Sequence, residues 1–398
     1  MNKALYPALA VAALACLVPI TLDSCSSLSI EGARDTAVSR HLARADINFA
    51  DGRTRLAETG YTAALKLDPL HPRARRGLER TQAKRVSSQN NTLDANGAFA
   101  LALRFEAAIE TDPEHGPTYR LALGKIYSAM GDGDAAEKWF GTAVESDPKN
   151  ARAWRLQGAI FSQRGKLDEA VKSLEKSAEL DPKDGQTSLL LGVIYKQQKK
   201  MSQAVTELTK ASAALPTAKS WYELGDVLLQ SNEPEKAYQA LGQAARAPGA
   251  KELAGSIAAT IGVAAYRTKR YPEAVNWLQQ ASKDSKNPAV LLNLAVSLQA
   301  VGNHERAAQI LQALVQKQPL NVDVAIQLMV SLARTKKIDV ARQVGSRFLA
   351  VAKNKPQLAA SVDRMRKIMT ELSGKPAPPP PLPPPSAPPP GEGPMVIE

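Results

Sequence analysis

The sequence predicts an all-α protein in which one helix-turn-helix unit is repeated along most of the chain. Three observations carry that prediction. A small residue returns at Ala45, Gly77, Gly124, Gly158, Gly192, Gly225, Gly262 and Ala295, and Met329 closes the series. From Gly124 onward the steps are 34, 34, 33, 37, 33 and 34 residues. Twelve residues after each of the last seven positions stands an alanine: Ala136, Ala170, Ala204, Ala237, Ala274, Ala307 and Ala341. Composition agrees, since 44% of residues are apolar but only 5% are aromatic. Abundant alanine with few β-branched runs favours closely packed helices over sheets.

The clearest unit is residues 151–184, ARAWRLQGAIFSQRGKLDEAVKSLEKSAELDPKD. Trp154, Gly158 and Phe161 lie four and three residues apart and so share one face of a first helix. A tight turn falls at Gly165-Lys166, and Ala170, Leu174 and Ser177 line a second helix. Gly158 and Ala170 are small where the two helices cross. Asp181-Pro182 ends the unit, because the residue before proline is pushed out of the α region. The same punctuation occurs at Pro113, Pro148 and Pro216, then at Pro288 and Pro319.

The run Trp154-x2-Gln157-Gly158-x2-Phe161, followed by Ala170 and Pro182 on a 34-residue beat, resembles the tetratricopeptide repeat. The resemblance covers residues 38–355. It implies a right-handed superhelical solenoid of about nine repeats with a C-terminal capping helix, held together by nearest-neighbour interfaces.

In chain order, residues 1–24 read as an export signal. Lys3 precedes an almost uncharged run from Ala4 to Leu22 that holds Pro7 and Pro19. A single membrane anchor is the competing reading. Leu22-Asp23-Ser24-Cys25 resembles a bacterial lipobox, which makes Cys25 the expected lipid attachment, although Asp23 departs from the pattern. Ala13-Leu14-Ala15 suits ordinary signal peptidase, and Cys16 is a third option. The two cysteines lie in this leader and at its edge, so the repeats hold no thiol. Residues 25–37 are expected to be a flexible tether. Residues 38–116 hold two divergent repeats with a polar insertion at 86–97, and 117–355 hold seven further repeats. Three extra residues, about 252–254, account for the 37-residue step. Residues 356–374 form the capping helix, with Leu358, Val362, Met365 and Met369 on one side. The tail 375–398 is proline-rich and favours a polyproline II spacer.

No catalytic constellation is legible. His41, His71, His115 and His304 are scattered without ligand spacing, no glycine-rich loop follows a strand, and no serine sits in a nucleophile elbow. The sequence therefore implies no cofactor, no metal and no enzyme. Chemistry is expected in binding instead. The resemblance places a partner groove on the first helices, at the second, fifth, sixth, ninth and twelfth places of each repeat. Those places hold Lys125, Arg152 and Arg155, then Gln186, Leu189, Val193 and Lys196, then Lys219, Tyr222 and Asp226. Tyr266 follows, with Leu292, Asn293 and Val296, then Ile326, Gln327 and Val330. A basic patch would thus give way to an apolar lane whose amides, Asn293 and Gln327, meet the backbone of a bound peptide. Acidic side chains or a terminal carboxylate would meet Arg152, Arg155 and Lys125. The lysine-asparagine clamp of carboxylate-binding members is not reproduced.

Net charge is +12, concentrated at Arg73–Arg85 and Arg334–Lys375. Such patches suit anionic headgroups, acidic polymers or an acidic partner. No aromatics interleave the basic runs, and an export signal argues against nucleic acid. The expected function is a non-catalytic scaffold or assembly factor in the bacterial cell envelope. It would be a periplasmic lipoprotein held at the outer membrane, binding other envelope proteins of a pilus, secretin, motility or export machine. The alternatives are a binder of acidic wall or exported polysaccharide and a regulatory subunit of an enzyme on another chain.

Overall fold

The structure, a computed structural model, describes residues 30–88, 95–284, 287–353 and 355–372. The leader, Cys25, the middle of the polar insertion and the proline-rich tail lie outside these residues. Among those described there is no strand, and none of the helices is long and apolar enough to cross a membrane.

The helices come in successive pairs: α1 (Ile30–Ala50) with α2 (Thr54–Leu67), and α3 (Pro72–Ser88) with α4 (Ala95–Thr111). Next come α5 (Gly116–Ala129) and α6 (Gly133–Ser146), then α7 (Ala151–Gln163) and α8 (Leu167–Leu180). The series continues with α9 (Gly185–Gln197) and α10 (Met201–Ala214), then α11 (Ala218–Gln230) and α12 (Pro234–Ala244). It ends with α13 (Ala254–Arg267) and α14 (Tyr271–Asp284), α15 (Pro288–Ala300) and α16 (His304–Lys317), and α17 (Val322–Arg334) and α18 (Ile338–Ala352). A last helix, α19 (Ala359–Glu371), follows a short 3-10 turn. Packing divides the chain into two compact units at Ile160/Phe161. The first holds α1–α6 and most of α7, and the second holds α8–α19.

Two expected boundaries move. Helix α1 starts at Ile30, so residues 30–37 are its opening turns rather than tether, and Val38 and Leu42 on it are buried. The insertion is also shorter than its polarity suggests. Helix α3 continues to Ser88, with Val86 and Ser87 buried, and α4 already begins at Ala95. The 37-residue step is absorbed after the short α12, where turns lead from Ala245 to Leu253 and Ala218 N–H donates to Pro248 O at 2.8 Å.

The turn between paired helices repeats one geometry. Its central residue has positive φ at Gly131, Gly165, Lys199, Asn232, Lys269, Gly302 and Lys336. The following N–H reaches back to the carbonyl five residues earlier, as from Asp132 to Tyr127 and from Lys337 to Leu332. This is the Schellman stop, which satisfies carbonyls that a helix end would otherwise leave open. Second helices then start on side-chain caps at Asp132 and Asn303, and first helices at Asp184, Thr217, Asn287 and Asn321. Each cap contributes about 1 kcal/mol.

Inside a pair, the small residue of the first helix faces a large residue sixteen places on. A β-carbon added at Gly124 would lie 2.5 Å from the Phe140 ring. Added at Gly192, Gly225 or Gly262, it would lie 2.5–2.6 Å from Cγ of Leu208, Leu241 or Leu278. The large partners are all buried, at 0–1% exposure, so none can swing away. The last pair reverses the sizes. Met329 is the first-helix residue, and its partner is Gly345. Gly345 leaves room for Met329 and for Met369 of α19, whose Sδ would lie 2.6 Å from an added β-carbon. With Met365 and Ile368 buried against α17 and α18, α19 closes the C-terminal end of the second unit as expected.

Gly225→Ala should cost about 1–3 kcal/mol by overpacking. Leu241→Ala alone should cost about 2–5 kcal/mol. Urea unfolding of both single variants and the double variant checks the size match. The two costs should be strongly sub-additive, and additivity to within a few tenths of a kcal/mol would rule it out.

Candidate functional site

In the first unit, α5 and α7 are first helices, and they bring Lys125, Arg152 and Arg155 into one basic cluster. Each is partly buried. Burial and the charges of Arg152 and Arg155 pull the Lys125 ammonium down to about 8. Three cations held this close are mutually repulsive, and an anion placed among them relieves that repulsion. The arrangement is chemically suited to a carboxylate or a similar anion, which arginine can hold through two parallel hydrogen bonds.

In the second unit the expected basic places are neutralised. Lys196 Nζ lies 2.5 Å from Glu223 Oε2 and 2.9 Å from Asp226 Oδ2. Lys219 Nζ adds a 2.7 Å contact to Glu223 Oε1, and Gln230 donates to Asp226 at 3.0 Å. Burial disfavours every charge here, yet the carboxylates hold Lys196 well above the usual lysine range, and Lys196 and Lys219 hold Glu223 below the usual carboxylate range. Two lysines and two carboxylates cancel, so on α9 and α11 the expected groove residues Lys196 and Lys219 belong to a closed ion network. Glu223 was not among the residues expected in the groove. The available signal was Glu223 and Asp226 at the sixth and ninth places of one repeat, facing Lys196 at the twelfth place of the repeat before.

The amide-lined apolar lane is corrected more sharply. Asn293, Val296 and Gln327 are each 2% exposed, so they are core residues and not a receiving surface. Ile326 is buried with them. The polar groups of this seam bond one another: Gln299 Nε2 donates to Gln327 O at 2.9 Å and to Ser331 Oγ at 2.7 Å. Gln186 and Lys219 are exposed, while Leu189, Val193, Tyr222, Tyr266, Leu292 and Val330 are partly buried. The physical reason is that first helices of adjoining repeats also pack on each other. A place that a repeat pattern assigns to the groove is covered wherever the neighbouring first helix carries a large side chain.

The basic run of α3 has the same fate. Arg73 pairs with Asp46 at 2.5 Å, Arg85 with Glu58 at 3.1 Å, and Glu79 with Arg104 at 3.5 Å. Arg80 holds both oxygens of buried Asp112, at 2.6 and 3.0 Å, and Tyr119 and His115 complete that carboxylate's partners. Burial opposes ionisation of Asp112, but the hydrogen bonds from Arg80, Tyr119 and His115 outweigh it and leave its acid below the ordinary range. Among the described residues, Asp112, Glu114 and His115 are the one group close enough to ligate a metal together. Asp112 is already occupied by a guanidinium, so the group reads as an ion-pair knot.

Family models described as tetratricopeptide repeat match residues 121–185 and 222–288, and, for a second model, 162–224 and 265–331. The chain belongs to the tetratricopeptide repeat family. Similar solved structures include YrrB, titled a TPR protein with an unusual peptide-binding site. It is 21% identical over 50% of this chain and 97% of its own, with a TM-score of 0.43. Another is pilF of Pseudomonas aeruginosa, 20% identical over 52% of this chain and 93% of its own, with a TM-score of 0.45. The Cut9–Hcn1 complex aligns over 82% of this chain and 76% of its own at 17% identity and a TM-score of 0.42. No curated protein matches the chain. Tetratricopeptide repeats in general bind peptides or proteins.

Lys125 also makes stability depend on pH. Its folded value, about 8, lies below the ~10.4 of an unfolded lysine, so the unfolded chain binds more protons between those values. Stability should therefore rise as pH goes from about 8 to about 10, by about 1 kcal/mol at this partly exposed site. Denaturant titrations across that range should show the rise in the natural chain and its loss in Lys125→Met.

Proposed function

We propose that this tetratricopeptide repeat protein is a non-catalytic interaction scaffold that takes an acidic peptide segment of a partner at Lys125, Arg152 and Arg155. The convergence of three cations on two neighbouring first helices, with Lys125 drawn down to about 8, is the observation behind this reading. On α3, Arg73, Arg80 and Arg85 pair with carboxylates, and so do Lys196 and Lys219. That pattern weighs against a diffuse hold on acidic polysaccharide through α3. The finer part of the proposal places the scaffold in a bacterial cell envelope, exported and lipid-anchored through Cys25, among the proteins of a pilus, secretin, motility or export assembly. It rests on the leader sequence alone.

Calorimetry with an acidic peptide and its amidated counterpart tests the binding claim. Binding should weaken at least about tenfold in Arg152→Glu/Arg155→Glu, because a close charge pair becomes a repulsion. An anion bound beside Lys125 raises its proton affinity, so binding near pH 8 to 9 should take up protons from the buffer. Equal affinity for both peptides in the natural chain would refute the assignment.

The anchor has its own check. Palmitate fed to cells expressing the natural chain should label it, and the label should disappear in Cys25→Ser. Equal labelling of the two chains would remove Cys25 from the proposal.

A further inference from the structure

Helix α18 exposes aliphatic side chains, as do α2 at Leu56 and α4 at Phe99 and Leu103, but on α18 they stand beside lysine and arginine. Val340 and Val351 are each 46% exposed, and Ile338 is 42% exposed. The residue just before the recurring alanine is Ala135, Glu169, Gln203, Lys236, Glu273 or Arg306 in the six preceding repeats, and Val340 in this one. Lys337, Val340, Val344, Arg347 and Val351 are spaced three, four, three and four apart, so they form one line along the helix. Lys337 and Arg347 bracket Val340 and the partly buried Val344 on it, and Val351 follows.

The charge around that line is unlike the charge of α3. Residues 322–372 hold ten Lys/Arg against four Asp/Glu. Three of those acids are already taken: Asp339 by Arg342, Asp363 by Arg366 and Asp323 by Arg364. Lys336, Lys337, Arg347, Lys353, Lys355 and Lys367 make no ion pair among the described residues. All but Lys355 are exposed. Arg73, Arg80 and Arg85 of α3 are spent on carboxylates of neighbouring elements, whereas Lys336, Lys337 and Arg347 are exposed beside bare aliphatic side chains.

We propose that this face of α18 docks on an anionic lipid bilayer. A bilayer surface is the occupant that matches both features. Its headgroup charge attracts lysine and arginine by about 1 kcal/mol each, and its interface accepts valine and isoleucine while the cationic heads stay in the wet layer. A soluble acidic polymer matches the charge and leaves Val340 and Val351 exposed. The docking is independent of the Lys125 cluster, which lies in the other unit.

A probe on the helix reads the contact directly. The full chain carrying Cys16→Ser, Cys25→Ser and Val351→Cys is labelled with an environment-sensitive fluorophore and mixed with vesicles. The leader is present throughout, but only α18 reports. Vesicles containing phosphatidylglycerol should blue-shift the emission, and pure phosphatidylcholine vesicles should leave it unchanged. About 0.5 M salt, which screens charges beyond a few ångströms, should reverse the shift. Lys336→Glu/Lys337→Glu/Arg347→Glu should weaken vesicle binding at least about tenfold. No shift with anionic vesicles overturns the proposal, as does an equal shift with phosphatidylcholine. A shift of the same size with soluble polyglutamate also overturns it, because the face would then read acidic protein. The lipid comparison uses no charge-reversed chain, so it decides the matter even if that variant folds poorly.

Discussion

Helix pairs in this chain close where a small side chain meets a large one sixteen residues away in sequence, with the sizes reversed in the last pair. Gly192 against Leu208 and Gly225 against Leu241 let two helix backbones approach until a single added β-carbon has no space. Close approach is what buries the recurring alanines, which have too little surface to hold a looser crossing. Because each interface is short-range, stability is assembled pair by pair along each unit. The positive-φ stop between paired helices is the second fixed element. Where it falls on Lys199, Lys269 or Lys336 it imposes a backbone conformation that glycine adopts at less cost.

Electrostatics are arranged on top of that steric frame. Several basic residues are committed to carboxylates on neighbouring helices, among them Arg73, Arg85, Lys196 and Arg364. Arg85 with Glu58 and Lys196 with Glu223 tie successive repeats together, and such pairs set register more than they add stability. At Lys125, Arg152 and Arg155 three cations converge instead, and the two arginines lower the proton affinity of Lys125. Net charge, taken over the whole chain, does not reveal that convergence.

The fold was legible because its rules are local. Glycine, alanine and proline recurred at a fixed beat, and each had a steric reason to stand where it did, so helix order and pairing followed directly. The boundaries at Ile30 and Ser88 were missed because small polar residues resemble linker, although Val38, Leu42 and Val86 find buried places. The site was legible only in part. Lys125, Arg152 and Arg155 could be placed together from repeat positions. Asn293, Val296 and Gln327 could not be placed, because their burial depends on what the adjoining first helix presents. Lys196 failed for the same reason, its partners lying a full repeat away in sequence. Position within a repeat tells where a side chain starts, and the neighbouring repeat decides where it ends.

The reversed pair Met329 and Gly345 has a consequence for how such a chain can change its length. Recombination between repeats keeps the beat whether it cuts between helix pairs or inside one, but only the first kind preserves the size match in the final pair. A cut inside the last pair would join an inner first helix, with its glycine, to Gly345 and leave a hole. The reciprocal product would set Met329 against a leucine and force the helices apart. Whole repeats before the last can be gained or lost, while the final pair and α19 must travel together as one heritable block. The reversal therefore gives the array a fixed end.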